Sequence, residues 1–128
     1  MKLTIVSIER DGIVRVASDG SITAPDFAGG RNPFESLLGQ NWAGTRILLN
    51  VEKSDYIDSS AVGWLISSQK TVRAAGGGLV LVNVNPGVKQ ILDLLKVGRV
   101  VPIVGTEDEG RKLLLQDAKP QAAEGGVR

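Results

Sequence analysis

The sequence predicts an α/β domain over residues 1–117, built on a mixed β-sheet of four to five strands with about four α-helices, and a disordered tail over 118–128. Three observations carry this prediction. Two short β-rich runs, Lys2 to Glu9 and Ile13 to Ser18, flank the turn-forming pair Asp11-Gly12. Two nearly unbroken apolar runs follow, Arg46 to Val51 and Leu79 to Val84. Between those runs Ser60 to Ala75 has helical character and stops at Gly76-Gly77-Gly78. A hairpin pairs its strands antiparallel, whereas a strand, helix, strand succession joins parallel strands through a right-handed crossover, so the sheet is mixed. A chain of 128 residues supports one core.

The elements are justified in chain order. Asp11-Gly12 accepts the positive φ of a tight hairpin turn. From Asp19 to Asn32 turn formers dominate, and then Asn32, Pro33 and Glu35 stand as N-cap, first-turn proline and far half of a capping box. The helix they open carries Phe34, Leu37, Leu38 and Trp42 at close to helical spacing and ends at Gly44. The apolar runs at 46–51 and 79–84 have the pattern of inner strands. The triple glycine follows a helix, whereas a phosphate loop follows a strand and opens a helix, so it is a C-cap. Asn85-Pro86 opens a third helix with Val88, Ile91, Leu92 and Leu95 as its stripe, ending near Gly98, and Val100 to Val104 makes a last short strand. Thr106-Glu107-Asp108-Glu109 has capping-box spacing with acids in the first turn of a final helix, a cap rather than a metal site.

Composition excludes several functions. The sequence has no cysteine and no histidine, which removes disulfides, the usual zinc and haem ligands, thiol nucleophiles and the commonest proton shuttle. No cofactor or metal is expected. Fifteen basic against fourteen acidic residues, without a block of one sign, give nucleic acid little to bind. No apolar run approaches membrane-spanning length, and Met1 to Glu9 lacks the features of a secretion signal, so a cytoplasmic protein without membrane insertion is expected.

The informative segment is Tyr56-Ile57-Asp58-Ser59-Ser60-Ala61-Val62-Gly63-Trp64, where an inner strand's exit loop meets the crossover helix. Sites in open α/β sheets favour such carboxyl-end loops. Asp58 and Ser59 are both good N-caps. At ~100° per residue, Val62, Leu65, Ile66, Gln69 and Val72 fall on one side of the helix, and Ser60, Trp64, Ser67, Ser68 and Thr71 on the other. Ser60 therefore points outward with Trp64 one turn on. That tryptophan is either an exposed interface anchor or folds over a neighbouring helix. A phosphate on Ser60 would add about −1.5 to −2 charges at a helix N-terminus, which tolerates an anion in the free protein. A partner packed there would have to desolvate it, and a ~3 kcal/mol penalty weakens binding about a hundredfold.

At these residues the sequence resembles the STAS domains, and most closely the stand-alone anti-sigma factor antagonists of bacteria. The match is Asp58-Ser59-Ser60 with the Val62-Gly63 helix start, the Gly-Gly-Leu-Val-Leu-Val-Asn strand and the Val88 to Val101 segment, and it covers most of Lys2 to Asp117. The resemblance implies a STAS-like mixed sheet and a protein-binding switch without enzymatic activity. It implies that Ser60 is phosphorylated by a partner that is both serine kinase and anti-sigma factor, that a serine phosphatase reverses this, and that the unmodified form captures the anti-sigma factor. Carried over by position, Asp58 and Ser59 shape the loop, and Asp58, Ser59, Ser60, Trp64 and Ser67 form the partner-binding surface. Two departures stand out: Ala61 replaces the glycine common after the motif, and Ser21 to Arg31 is longer and richer in glycine than the usual connection. The alternative is a constitutive STAS subunit of a stress-sensing or lipid-transport complex. An enzyme using Ser60 as nucleophile lacks a general base: there is no histidine, and Lys53 or Asp55 would have to be placed by the fold.

Overall fold

In a computed structural model the chain is described over residues 1–124, with side chains over 1–116; the whole tail expected at 118–128 lies outside the residues whose side chains are described, and its backbone over 118–124 continues the last helix. Five strands form one sheet in the spatial order β1-β2-β3-β4-β5. They are β1 (Lys2–Ile8), β2 (Ile13–Asp19), β3 (Arg46–Lys53), β4 (Gly78–Val82) and β5 (Ile103–Val104). β1 pairs antiparallel with β2, and β2 through β5 run parallel. The helices are α1 (Pro33–Leu38), α2 (Ser59–Ala74), α3 (Pro86–Leu94) and α4 (Glu107–Glu124). The mixed α/β architecture is the one expected.

The central strands alternate between two cores because successive side chains point to opposite faces. Ile47, Leu49, Leu79 and Leu81 belong to the larger core, to which Phe34, Ala61, Leu65, Val88 and Leu92 of α1, α2 and α3 contribute. Leu48, Val80 and Val82 face the smaller core with Ile13 and Leu114 of α4. Each of these side chains is buried, and full burial of such a residue contributes about 1.5–3 kcal/mol. Helix α4 settles close to the sheet at Gly110, where an added Cβ would come within 2.5 Å of Leu48 Cδ1. Arg15 of β2 ties α4 down from the edge, its Nε donating to Glu107 Oε1 at 3.0 Å.

The triple glycine closes α2 as predicted. Gly77 N donates to Val72 O and Gly76 N to Arg73 O, with Gly76 at φ 90°, which is a Schellman cap. A Cβ at Gly77 would collide with the Thr45 carbonyl oxygen, so this position also lets β4 enter the sheet beside β3.

Several expectations need correction. The hairpin connection is one residue longer than the Asp11-Gly12 pair: Gly12 N donates to Glu9 O and Glu9 N to Ile13 O, with Gly12 at φ 87° absorbing the bulge. Helix α1 stops at Gly39 (φ 92°), so Trp42 reaches the core from a separate 3-10 turn, Trp42–Gly44. Helix α3 ends before Leu95, which is 48% exposed rather than part of the stripe. Only Ile103–Val104 of the expected last strand pairs with β4.

Candidate functional site at the start of helix α2

The loop from β3 to α2 is held from three sides. Ser54 Oγ lies 2.7 Å from Ser18 Oγ in the interior, and its carbonyl accepts from Asn85 Nδ2 at 2.8 Å. On the other flank the long connection after β2 runs alongside: Ile22 bridges Ile57 in parallel, Ile22 N donates to Tyr56 O and Asp58 N to Ile22 O. The result is a rigid entry into α2.

Asp58 is the N-cap. One carboxylate oxygen accepts from Ala61 N at 3.0 Å and the other from Ala24 N at 2.9 Å, so a single side chain closes the helix and pins the connection against it. Capping of this kind is worth about 1 kcal/mol. Ser59 and Ser60 occupy the first turn, where backbone N–H groups have no partner within the helix. Both are exposed, and the Ser60 hydroxyl makes no hydrogen bond among the described residues. Capping therefore leaves Ser60 free, as anticipated.

Trp64 is not the exposed anchor that its position on the helix allowed. It is 6% exposed, and Ser68 on the same side is fully buried. The reason is that the connection after β2, with its short 3-10 turn Ala24–Phe27, and α1 pack along a flank of α2, while the face opposite the sheet, with Ser60, Gly63, Ser67 and Lys70, stays exposed. The Trp64 ring packs 4.8 Å from Phe34 and 5.4 Å from Phe27, and Trp42 continues the stack 6.1 Å beyond Phe34. Its indole N–H donates to Asn32 Oδ1 at 2.9 Å. Asn32 is the hub of this cover, since the same oxygen caps α1 by accepting from Phe34 N and its Nδ2 donates to Ser68 Oγ at 2.9 Å.

Ser60, Gly63, Trp64 and Ser67 of α2 face Phe27, Gly30, Arg31, Asn32 and Pro33 of the connection across a groove of about 450 Å³. Of the expected site residues, Ser60, Trp64 and Ser67 come together on this groove, Trp64 contributing its buried edge, while Asp58 lies behind as the cap and Ser59 is exposed beside them. Arg31 is the sole charged residue on its lining. Arg31, Phe27 and Asn32 were not among the expected site residues; the unusual length and glycine content of Ser21 to Arg31 were the available signal. Among the described residues no three acidic side chains form a group that could hold a metal, and no helix is long and apolar enough to cross a membrane.

The STAS domain family model matches residues 4–110, which takes in β1 from Thr4 onward, β2 to β5, α1 to α3 and the groove. This chain belongs to the STAS domain family. An anti-sigma F factor antagonist of Paenibacillus polymyxa is 30% identical over 61 residues, 48% of this chain and 52% of the relative. This chain thus spans about half the length of that relative. Among solved structures, the anti-sigma factor antagonist SpoIIAA in its unphosphorylated form superposes with a TM-score of 0.64 at 21% identity, covering 90% of this chain and 96% of that one. The phosphorylated form of SpoIIAA, a Bacillus cell fate determinant, gives 0.58 at 20% identity over 88% and 96% of the two chains. A STAS domain protein of Planctomyces limnophilus, described as an anti-sigma factor antagonist, gives 0.67 at 16% identity over 91% and 97%. At these identities the superpositions concern the fold.

Proposed function

We propose that this STAS domain is an anti-sigma factor antagonist whose capture of the anti-sigma factor is controlled by phosphorylation of Ser60. The observation that carries the reading is the Ser60 hydroxyl: exposed, without a hydrogen bond among the described residues, and set on a helix start whose capping is already supplied by Asp58. The membership in the family and the anti-sigma F factor antagonist relative support the same role.

In this reading an anti-sigma factor that is also a serine kinase docks over the first turn of α2, with Ser59, Ser60 and Ser67 as exposed contacts. Trp64 acts from beneath, holding the groove's floor in place. The kinase transfers the γ-phosphoryl group of ATP to Ser60 Oγ, releasing ADP and the hydroxyl proton. A serine phosphatase returns the hydroxyl by hydrolysis to inorganic phosphate. The phosphorylated form leaves the partner because the dianion must be stripped of water at the contact, and loss of about a hundredfold in affinity corresponds to ~3 kcal/mol. Without histidine, and with Ser60 facing solvent, the chain itself performs no catalysis in this scheme.

The test is binding of the cognate anti-sigma factor to three forms. Wild type and Ser60→Ala should bind alike, and Ser60→Asp should bind at least tenfold more weakly. After incubation with the kinase and ATP, mass spectrometry should find one phosphate on the peptide carrying Ser60. Equal binding by the Ala and Asp forms would instead favour a constitutive subunit of a larger complex, with the Asp-Ser-Ser segment acting only as a cap.

A further inference from the structure

The groove beside Ser60 holds one charged side chain, Arg31, and its surroundings give that charge no partner: Arg31 is exposed and makes no ion pair or hydrogen bond among the described residues. It follows Gly29 and Gly30, the latter at φ 79°, and a Cβ at either would meet nothing within 4 Å. The arm is thus carried by an open, glycine-built turn on the opposite bank from Ser60. The same arginine also lines a second cavity of about 430 Å³ on its far side, bounded by Met1, Leu3, Asp26, Ser36 and Leu37, where the Asp26 carboxylate is already paired with the Met1 ammonium at 2.9 Å. The guanidinium has room on both sides of its own backbone.

We propose that Arg31 is the intramolecular receptor for the phosphate of phosphorylated Ser60, closing across the groove as a latch; this rests on Ser60 being the modified residue. The electrostatics require such a counter-charge. Phosphate on Ser60 sits two residues from the Asp58 carboxylate, which already occupies the cap and takes up Ala61 N and Ala24 N. The helix dipole is shared with that anion, leaving the first-turn N–H groups and Arg31 to balance a second, larger one. A guanidinium offers paired N–H donors that match phosphate oxygens, and an arginine held in no ion pair gives up little to make the bond, the Asp26 carboxylate on its other side being taken by the Met1 ammonium. The latch also changes the docking surface: Arg31 drawn over the groove covers Gly63, Trp64 and Ser67, so the modified face is closed as well as charged. It lies in the part of the chain that departs from the usual connection, Ser21 to Arg31.

The full chain can be prepared with phosphoserine at position 60 by genetic encoding, which separates this question from whether a kinase modifies Ser60. The ³¹P NMR titration of that phosphate is then followed in wild type, Arg31→Ala and Arg31→Lys. The second phosphate pKa, near 6 unperturbed, should lie about half a unit lower in wild type than in Arg31→Ala, since a nearby opposite charge favours the dianion. Arg31→Lys should recover part of the shift, keeping charge but losing the paired donors. Phosphatase release of phosphate should be several-fold faster from Arg31→Ala. Identical titrations and release rates in wild type and Arg31→Ala would overturn the latch while leaving the phosphorylation reading intact. The unphosphorylated variants serve as the folding control, and should melt with the wild type because Arg31 is exposed and makes no ion pair or hydrogen bond among the described residues in that form.

Discussion

Helix α2 is buried on two sides that differ in kind. The side toward the sheet is made of Ala61, Val62, Leu65 and Val72, and its one large polar member, Gln69, is satisfied by the backbone of β4, accepting from Leu79 N at 2.8 Å and donating to Leu79 O at 2.9 Å. The side toward α1 is made of Trp64 and Ser68, joined to Asn32 and stacked on Phe27 and Phe34. The first side is an ordinary apolar stripe. The second is an aromatic ring held by hydrogen bonds and covered by a connection rather than by a sheet. It is also the side that forms the groove beside Ser60, so the more polar packing is where partner contact is proposed. A surface that must stay presentable to a partner can be supported from below by a buried indole without being apolar itself.

The largest expected effect tests whether the second side is as structural as the first. Leu65→Ala and Trp64→Ala should each destabilise the domain by about 2–5 kcal/mol, since both remove a buried side chain. Chemical denaturation would measure it. A Trp64→Ala cost under ~0.5 kcal/mol, typical of a surface position, would break the comparison.

A smaller effect isolates the hydrogen-bond hub. Asn32→Ala removes a helix cap, worth about 1 kcal/mol, and strands the buried indole N–H and the Ser68 hydroxyl, for a total on the order of 2–4 kcal/mol. Asn32→Asp keeps an acceptor for the indole and for Phe34 N and lets Ser68 donate in turn, so it should cost less than half as much. If both variants unfold at the same denaturant concentration, the amide is not what joins α1 to α2. Smaller again is Ser60→Asp, which should change folding stability by no more than ~0.5 kcal/mol because the residue is exposed and an anion suits the first helical turn. A large loss of stability there would mean that weakened partner binding by this variant reports unfolding.

The same two sides explain what could be read from the chain alone. Apolar runs at Arg46 to Val51 and Leu79 to Val84, the glycines closing α2 and the prolines opening α1 and α3 are local signals, and each of these elements begins close to where its pattern put it, although α1 and α3 end early. The sheet-facing stripe of α2 was legible because a helix between two inner strands must bury its apolar side against them. The burial of Trp64 was not. Tryptophan and serine on the flank of a helix fit solvent or a neighbouring segment equally well, and the cover comes from a segment with no periodicity, whose path is decided by the Ile22–Ile57 bridge and the Asp58–Ala24 bond. The break in α1 at Gly39 was hidden for a related reason: Phe34, Leu37, Leu38 and Trp42 keep nearly helical spacing across a glycine at φ 92°.

The smallest predicted effect concerns how firmly that cover is held at low pH. Asp26, in the 3-10 turn that carries Phe27 over Trp64, feels burial pushing its pKa up, but the Thr23 backbone N–H and the amino-terminal ammonium of Met1, 2.9 Å from Oδ1, outweigh it and hold the carboxyl below its ordinary 3.8. A carboxyl whose folded pKa is depressed contributes stability that is present above its unfolded value and is lost as pH falls through the folded one. Below about pH 4 this turn should therefore loosen, and it should do so before the sheet-facing side of α2, which carries no titrating group. In a Trp42→Phe background, Trp64 fluorescence followed between pH 5 and 2.5 should shift to the red ahead of the loss of far-ultraviolet helical signal. In Asp26→Asn, which has no carboxyl to protonate, that early phase should vanish. Fluorescence and circular dichroism changing together in both proteins would show that the two sides of the helix come apart as one.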